Sequence, residues 1–318
     1  MDTVDSYRRF AEREARGQSP TYERLALAVA ADAGLLALLD RLPVPRRQPN
    51  LLFGAARFLG GPVDDPDRFR AWATANWSGL AATMSARRTQ TNEAARCAVL
   101  LPLLARLPQP LALLEVGASA GLCLHPDRYR YAYGAHRVGP ADSPVELSCA
   151  VDGPAPLPDQ VPEVVWRAGL DLNPLDVTGP DDLAWLTALV WPEHQDRRDR
   201  LRAAALVARE SPAPVHRGDL LTDLPALAAT APRDATLVVF HSAVLAYLPA
   251  EGRRAFAELV RGLPGHWISN EGAGVFPEFA EGLSVPDGPA RFLLALDGRP
   301  VAWTGPHGQS LHWLANWA

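Results

Sequence analysis

Lysine is absent from the 318-residue sequence, so arginine supplies all 31 positions of the combined Lys and Arg count. This absence excludes three kinds of site that depend on a lysine: the phosphate-binding P-loop, the Schiff base of carbonyl and pyridoxal enzymes, and the strand lysine of protein kinases. Alanine and proline are abundant beside arginine. The composition therefore indicates a bias of the source genome rather than a functional requirement.

Cysteine is scarce. Cys97, Cys123 and Cys149 are odd in number, scattered along the chain and without zinc-binding spacing. This pattern predicts reduced thiols in a cytoplasmic protein, with no disulfide framework. None of the eight histidines has a second ligand at metal-binding spacing, so the sequence predicts no metal site.

An excess of positive charge and long apolar runs are also lacking. The net charge is −5, which predicts no nucleic-acid partner and no anionic membrane partner. No apolar run reaches the roughly eighteen residues of a transmembrane helix, and the charged segment MDTVDSYRRFAEREARG does not resemble a signal peptide. Apolar residues make up 48% of the chain, enough for a sizeable core.

The first part of the chain has helical patterning. Ser19-Pro20 is typical of an N-cap followed by proline at the first helical position, and one apolar-rich run then continues over residues 22–42. Further amphipathic segments cover residues 49–60 and 65–77. We therefore predict a helical cap or subdomain over residues 1–88.

From residue 89 the pattern changes to alternation of strands and helices. A helix is predicted from Thr91 or Asn92, and apolar runs predict strands over 111–116, 163–172, 235–242 and 265–272. Such alternation predicts an α/β fold with a mostly parallel sheet. Residues 290–305 predict an antiparallel hairpin around Asp297-Gly298, followed by one more strand.

The segment LALLEVGASAGLCL, residues 111–124, fits two kinds of site. G-x-S-x-G over residues 117–121 is typical of the serine nucleophile of α/β-hydrolases, and Ser119, Asp219 and His241 occur in a suitable order for a triad. However, the chain upstream is mostly helical, and its first histidine, His125, comes after the motif. A serine hydrolase with Ser119 as nucleophile is therefore the weaker alternative.

The other interpretation begins at Glu115, which ends the first predicted parallel strand. Gly117 and Gly121 let the backbone approach a ligand, and the turn is expected to lead into a helix whose free N–H groups face the crevice. Position 119 is Ser, so the dinucleotide pattern G-x-G-x-x-G is not met. An acid two residues before the first glycine instead resembles class I S-adenosylmethionine-dependent methyltransferases.

Later motifs extend this resemblance. D-L-N-P at 171–174, G-D-x-x-x-D-L-P at 218–225 and the strand that ends at His241 follow in the methyltransferase order. The resemblance implies a Rossmann-like domain that binds S-adenosylmethionine, with Asp171 at the ribose hydroxyls and Asp219 at the adenine. His241 is the first candidate for a general base. The alternatives are that Asp171 and Asp219 only cap turns and that His241 is a buried structural residue.

A narrower resemblance covers most of the chain. The following segments are similar to the bacterial family catalogued as domain of unknown function 2332: QTNEAARC at 90–97, EVGASAGLCLHPDRYRY at 115–131, DLNPLDV at 171–177, LVWPEHQDR at 189–197 and VVFHSAVLAYL at 238–248. The 56 residues from Glu115 to Asp171 exceed a simple βαβ unit of about 30 residues. We therefore expect an insertion at about 127–162 within a domain over 89–318.

The sequence thus predicts a methyltransferase that uses S-adenosylmethionine and acts on a small-molecule acceptor. A ligand-binding module of the same fold without catalysis is the second possibility, and the oligomeric state is left open. Candidate cofactor-binding residues are Glu115, Gly117, Ala118, Ser119, Gly121, Asp171, Leu172, Asp219, Leu220 and His241. Candidate acceptor-pocket residues are Thr91, Asn92, Arg96 and Tyr247.

Overall fold

The structure, a computed structural model, describes residues 2–286 and 291–314. The chain divides into two compact units. The first comprises the residues up to Thr91 together with Thr178–Asp199, and the second comprises Asn92–Val177 together with the residues from Arg200 onward.

Helices form the regular structure of the first unit. The α-helices of the chain are α1 (Thr3–Phe10), α2 (Pro20–Ala31), α3 (Ala33–Leu39), α4 (Pro49–Phe58), α5 (Pro66–Ala75), α6 (Trp77–Ala86), α7 (Cys97–Leu104), α8 (Pro180–Leu189), α9 (Gln195–Glu210), α10 (Leu224–Ala228) and α11 (Ala250–Arg261). Of these, α7, α10 and α11 belong to the second unit. Ser19 is the N-cap of α2 as predicted, because its hydroxyl accepts the Tyr22 N–H at 3.1 Å.

The apolar-rich run over residues 22–42 is divided between two helices, α2 and α3. The helix breaks at Asp32, whose backbone is extended and whose Oδ1 accepts the Leu35 N–H at 2.9 Å. Asp32 is therefore the N-cap of a separate helix, α3, because its short carboxylate satisfies a free N–H of the first turn. The apolar periodicity continues across the break and does not reveal it.

Aromatic rings form the centre of the first unit. Phe53 packs against Tyr7, Tyr22 and Phe69, with ring centroids 4.8–6.2 Å apart. Trp191, from the second segment of this unit, lies 5.8 Å from the ring of Tyr22. Burial of these rings explains why residues 178–199 belong to the same compact unit as the N-terminal helices.

A nine-stranded sheet dominates the described part of the second unit, in the order β5-β12-β11-β10-β9-β8-β1-β6-β7. The strands of the chain are β1 (Leu111–Val116), β2 (Arg130–Tyr133), β3 (His136–Val138), β4 (Glu146–Ser148), β5 (Ala150–Asp152), β6 (Val164–Asp171), β7 (Val215–Arg217), β8 (Thr236–Ser242), β9 (His266–Gly272), β10 (Phe292–Leu296), β11 (Arg299–Thr304) and β12 (Ser310–Trp313).

The prediction of an α/β fold with a mostly parallel sheet is confirmed. β1 pairs in parallel with β6 on one side and with β8 on the other, and β7 and β9 extend the parallel part outward. Taken in chain order, these five strands have the spatial order 3-2-1-4-5, so the winding direction reverses at β1. In open α/β sheets such a reversal opens a crevice at the carboxyl ends of the strands.

The predicted C-terminal hairpin is also confirmed. β10 and β11 are antiparallel, and the turn between them has positive φ at Asp297 (52°) and Gly298 (80°). Positive φ at both central residues is the backbone requirement of the type I′ hairpin turn, which favours Asp-Gly. β7 was not predicted because its three residues, Val215–Arg217, are largely solvent-accessible and lack an apolar run.

The insertion expected at about 127–162 contains four short strands, β2 to β5. β2 and β3 form an antiparallel hairpin, β4 joins β2 in parallel, and β5 joins the large sheet beside β12. The α-helix expected after Gly121 is absent; a single 3-10 turn, Leu122–Leu124, takes its place.

A mostly buried ion pair fixes the segment that replaces this helix. Arg167 of β6 donates from both of its terminal nitrogens to the two carboxylate oxygens of Asp127, at 3.0 Å each. Arg167 also donates to the Leu124 carbonyl at 3.1 Å. These side-chain contacts satisfy polar groups that a continuing helix would otherwise have paired.

We expect Asp127→Ala to lower the free energy of unfolding by about 3–5 kcal/mol, because it leaves Arg167 charged and buried without its partner. Urea denaturation measures the loss. Glu146→Ala is the matched control: its partner Arg130 is more exposed, and such a pair contributes about 0–1 kcal/mol. Equal effects of the two variants would contradict the structural role of Arg167–Asp127.

Candidate functional site

The carboxyl end of β1 leads directly into a tight turn at the reversal point of the sheet. Gly117, Ser119 and Gly121 all have positive φ, at 71°, 53° and 71°. A Cβ atom on Gly117 would lie 2.3 Å from Cγ2 of Val244. Glycine is therefore required at 117 for both its backbone conformation and its close packing.

The N–H groups of this turn are bonded within the protein. Gly117 donates to the Leu170 carbonyl at 2.8 Å, and Gly121 donates to the Ala118 carbonyl at 2.7 Å. The Ser119 N–H donates to Oδ2 of Asp171 at 2.8 Å. The turn is thus held in shape before any ligand binds, and these amides do not form a cradle for phosphate oxygens.

Asp171 connects the carboxyl end of β6 to the turn. Its Oδ1 accepts the Asn173 N–H at 2.7 Å, and its Oδ2 accepts the Ser119 N–H. The side chain is half-buried. Each carboxylate oxygen has two lone pairs, so Asp171 caps the turn and retains acceptor capacity for hydroxyl groups.

Asn92 bonds the turn from its other side. Its Nδ2 donates to the Ala118 carbonyl at 3.1 Å, and its Oδ1 accepts the Leu122 N–H at 3.0 Å. The structure thus brings Asn92, a predicted pocket residue, to the turn. Thr91 is exposed and belongs to the first compact unit.

Glu115 is the most unusual residue of the site. Only 5% of it is exposed, and its Oε2 is buried without a hydrogen-bond partner. Burial raises the pKa of its carboxyl well above the ordinary value, the Cys123 thiol adds to this shift, and the nearby Arg96 opposes it. An unpaired buried carboxyl group is destabilising, so this atom is a strong candidate for contact with a ligand.

A serine-hydrolase triad is not assembled. Ser119 Oγ is buried without a hydrogen-bond partner, and Asp219 is exposed, with its Oδ1 accepting the Leu221 N–H at 2.8 Å. Asp219 also donates its N–H to Asp223 at 2.7 Å. It thus caps its own turn, and the hydrogen bonds of a triad between Ser119, Asp219 and His241 do not form.

His241 does not fit the predicted role of general base. It is 0% exposed, its Nδ1 lies 2.7 Å from Oε1 of Glu271, and its Nε2 accepts the Trp267 indole N–H at 3.0 Å. Both ring nitrogens are therefore engaged inside the protein. The buried structural alternative describes this residue.

The remaining predicted residues have separate environments. Arg96 is buried and donates to the carbonyls of Ser242 and Pro306, at 2.9 and 3.0 Å. Leu172 is 59% exposed and Tyr247 is 77% exposed, after the carboxyl ends of β6 and β8 respectively. Leu220 is partly buried beside the core that contains α10 and α11.

Glu271, the partner of His241, is not among the residues predicted for the site. A signal for it existed, because the strand predicted over residues 265–272 ends in Asn270-Glu271-Gly272, an acid at the carboxyl end of a parallel strand. Glu93, at the start of the helix predicted from Thr91 or Asn92, could either line the pocket or cap the helix. Its carboxylate indeed accepts the Ala95 N–H at 3.3 Å, and it also pairs with Arg200 at 2.9 Å.

Within the described residues 2–286 and 291–314, no three His, Cys, Asp or Glu side chains gather into a set suited to a metal ion. No helix within these ranges has the length and apolar character to cross a bilayer.

We expect Glu115→Gln to become increasingly more stable than the wild type as pH rises above about 4.5. The raised pKa means that the folded wild-type protein binds a proton that the unfolded chain has already lost, so its stability falls as pH rises toward the folded-state pKa. The glutamine variant has no such proton. Urea unfolding of both proteins between about pH 5 and pH 8 measures the difference; a constant difference over that range would contradict the burial of the charge.

Comparison with known proteins places the chain in one family. Searches of curated proteins and of solved structures give no match. A family model described as an uncharacterized protein conserved in bacteria, DUF2332, matches residues 4–313. With nearly its whole length matched, the chain belongs to this bacterial family.

Proposed function

We propose that the protein is an S-adenosylmethionine-dependent methyltransferase that acts on a small-molecule acceptor. The observation that carries this proposal is the buried, unpartnered Oε2 of Glu115 at the end of β1. It lies at the strand where the sheet reverses direction, next to the glycine turn. Ligands of open α/β sheets bind at such a point.

The charge of the turn favours a nucleoside-type ligand without phosphate. The Asp171 carboxylate bonds the turn, and the Gly117, Ser119 and Gly121 amides are already bonded. The buried Glu115 carboxyl at the start of the turn has a raised pKa, which favours its neutral form. A carboxylate repels phosphate groups, a neutral carboxyl offers a phosphate no positive charge, and both accept hydrogen bonds from hydroxyl donors. S-adenosylmethionine offers a sulfonium, an ammonium and a ribose diol, and it carries no phosphate.

The residues present fit this cofactor. Asp171 is positioned to accept the ribose hydroxyls with the lone pairs that its two backbone contacts leave free. The exposed Leu172, directly after it, provides an apolar surface for the base. Glu115 and the unpartnered Ser119 hydroxyl provide polar contacts at the floor of the turn. Asp219 is not assigned to the adenine, because it is exposed and caps its own turn.

The chemistry requires little covalent participation by the protein. The cofactor supplies an activated methyl group, and transfer by in-line displacement depends on alignment of the donor and the acceptor. The chain's own contribution is a turn held rigid by Asn92, Asp171 and Leu170. His241 has no free nitrogen with which to take a proton from the acceptor.

This engagement of His241 also favours a second candidate function, a ligand-binding module of the same fold without transfer activity. Such a protein would use the same turn and the same two carboxylates. The free, buried cysteines Cys97, Cys123 and Cys149 suit a cytoplasmic location for either function.

S-adenosylhomocysteine is expected to stabilise the protein against heat. A concentration about a hundred-fold above Kd adds about 2.7 kcal/mol if only the folded state binds, and this raises Tm by a few degrees. NAD is expected to give no shift, because its pyrophosphate would meet the Asp171 carboxylate and amides that are already bonded. Differential scanning fluorimetry measures both, and the absence of a shift at saturating S-adenosylhomocysteine would overturn the proposal.

Asp171→Asn is expected to weaken this binding by about ten-fold or more, since a hydrogen bond to a charged group contributes about 1.5–3 kcal/mol. Glu115→Gln replaces a carboxyl whose raised pKa favours the neutral form, so a smaller loss of about two-fold to ten-fold is expected, because a hydrogen bond between neutral groups contributes about 0.5–1.5 kcal/mol. Each Kd is measured by calorimetry. Glu146→Gln, an exposed carboxylate on β4, is the control and should bind as the wild type does. Binding followed by transfer of labelled methyl to a small molecule supports the methyltransferase; binding without transfer across an acceptor panel supports the module.

A further inference from the structure

The loop after β8 is the part of the protein that closes over the glycine turn. Its first residue, Ala243, has a φ of 59°, a left-handed conformation that a non-glycine residue adopts only when its surroundings hold it there. The next residue, Val244, packs so close to Gly117 that a Cβ on the glycine would lie 2.3 Å from Val244 Cγ2. The position of this loop therefore contributes to the shape of the turn, together with the hydrogen bonds from Asp171 and Asn92.

Glu271, at the end of β9, holds the loop. Its Oε1 accepts the Val244 N–H at 2.9 Å, the Leu245 N–H at 3.1 Å and a hydrogen bond from His241 Nδ1 at 2.7 Å. The carboxyl group is almost completely buried. One oxygen thus connects two backbone amides of the loop to a side chain of the neighbouring strand.

The Glu271 carboxylate is oriented by two buried side chains, His241 and Trp267. Trp267 donates its indole N–H to Nε2 of His241, so the imidazole proton lies on Nδ1 and is directed at Glu271. Burial alone would raise the pKa of Glu271, but the hydrogen bonds from His241, Val244 and Leu245 lower it below its ordinary value. An ionised Glu271 is a stronger acceptor for both loop amides than a neutral one.

A second set of contacts anchors the same loop at its start. Ala243 donates its N–H to the Asn270 carbonyl at 3.2 Å, and Asn270 Nδ2 donates to Ser242 Oγ at 2.9 Å. Thr304 in turn donates its hydroxyl to Asn270 Oδ1 at 2.7 Å. Residues 270 and 271 together thus bond both ends of the segment 242–245.

We infer that Glu271 is a positioning residue for the ligand site: through Val244 it holds the glycine turn in its binding conformation without touching the ligand. His241 and Trp267 act in the same chain of contacts by fixing the orientation of the carboxylate. The inference rests on the proposed function only in the choice of S-adenosylhomocysteine as the probe.

The first experiment uses the free protein and measures amide hydrogen exchange. Glu271→Ala is expected to accelerate exchange at Val244 and Leu245, which lose their acceptor, and also at residues 117–121, which lose the packing of Val244. Glu271→Gln keeps an acceptor oxygen and should retain most of the protection. Val260→Ala, in α11 and in the same core, tests general destabilisation and should leave residues 117–121 protected.

The second experiment measures the Kd of S-adenosylhomocysteine. Glu271→Ala is expected to weaken binding roughly ten-fold to a hundred-fold, by analogy with residues that orient the side chains of metal sites. Glu271→Gln should recover much of that loss. Val244→Ala leaves Glu271 intact and should reproduce part of the effect, which keeps the test valid if Glu271→Ala does not fold.

The outcomes separate the two proposals. If the wild type does not bind S-adenosylhomocysteine, the proposed function fails, and hydrogen exchange at residues 117–121 still decides the role of Glu271. If Glu271→Ala and Val244→Ala both leave exchange at 117–121 and Kd unchanged, Glu271 does not position the turn. If Val260→Ala, at a matched loss of Tm, weakens binding equally, the effect of Glu271 is general destabilisation and the inference is wrong.

Discussion

A carboxylate buried at the carboxyl end of a parallel strand requires hydrogen-bond donors, and this requirement organises the second unit of the protein. Glu271 meets it with one oxygen that accepts from His241 and from two loop amides. Asp171 meets it with the amides of Ser119 and Asn173. Glu115 leaves its Oε2 without a partner, and the second oxygen of Glu271 is likewise buried and unpaired. The two glutamates differ in their donors: the hydrogen bonds to Oε1 lower the pKa of Glu271 below its ordinary value, whereas burial raises the pKa of Glu115 well above it.

The same constraint explains the conformation of the turn. Three residues with positive φ follow one another at alternate positions from Gly117 to Gly121, and one of them is a serine, which does not favour that region. The Asp171 and Asn92 side chains bond the backbone of the turn from opposite sides and hold this arrangement. A rigid turn loses little conformational freedom when a ligand binds, because the entropic cost of ordering the turn is met during folding.

Much of the fold could be predicted from local patterns. Apolar runs identified the four longer parallel strands, and Asp297-Gly298 identified the hairpin, because these signals depend on neighbours in sequence. The break at Asp32, the strand β7 and the loss of the helix after Gly121 could not. The break at Asp32 depends on a side-chain cap. β7 is an edge strand without an apolar pattern. The segment after Gly121 depends on the contact between Asp127 and Arg167, which are about forty residues apart in the chain.

For the site, the sequence by itself determined which residues end the parallel strands: Glu115, Asp171 and His241 occur where strand and turn signals meet. It also determined the glycines, because positive φ and close packing exclude larger residues there. Only the tertiary structure decided what each side chain does. His241 looked like a base until Glu271 and Trp267, thirty and twenty-six residues further along, were seen to occupy both of its nitrogens. Hydrogen bonds between distant strands follow from sheet register, and no local pattern specifies them.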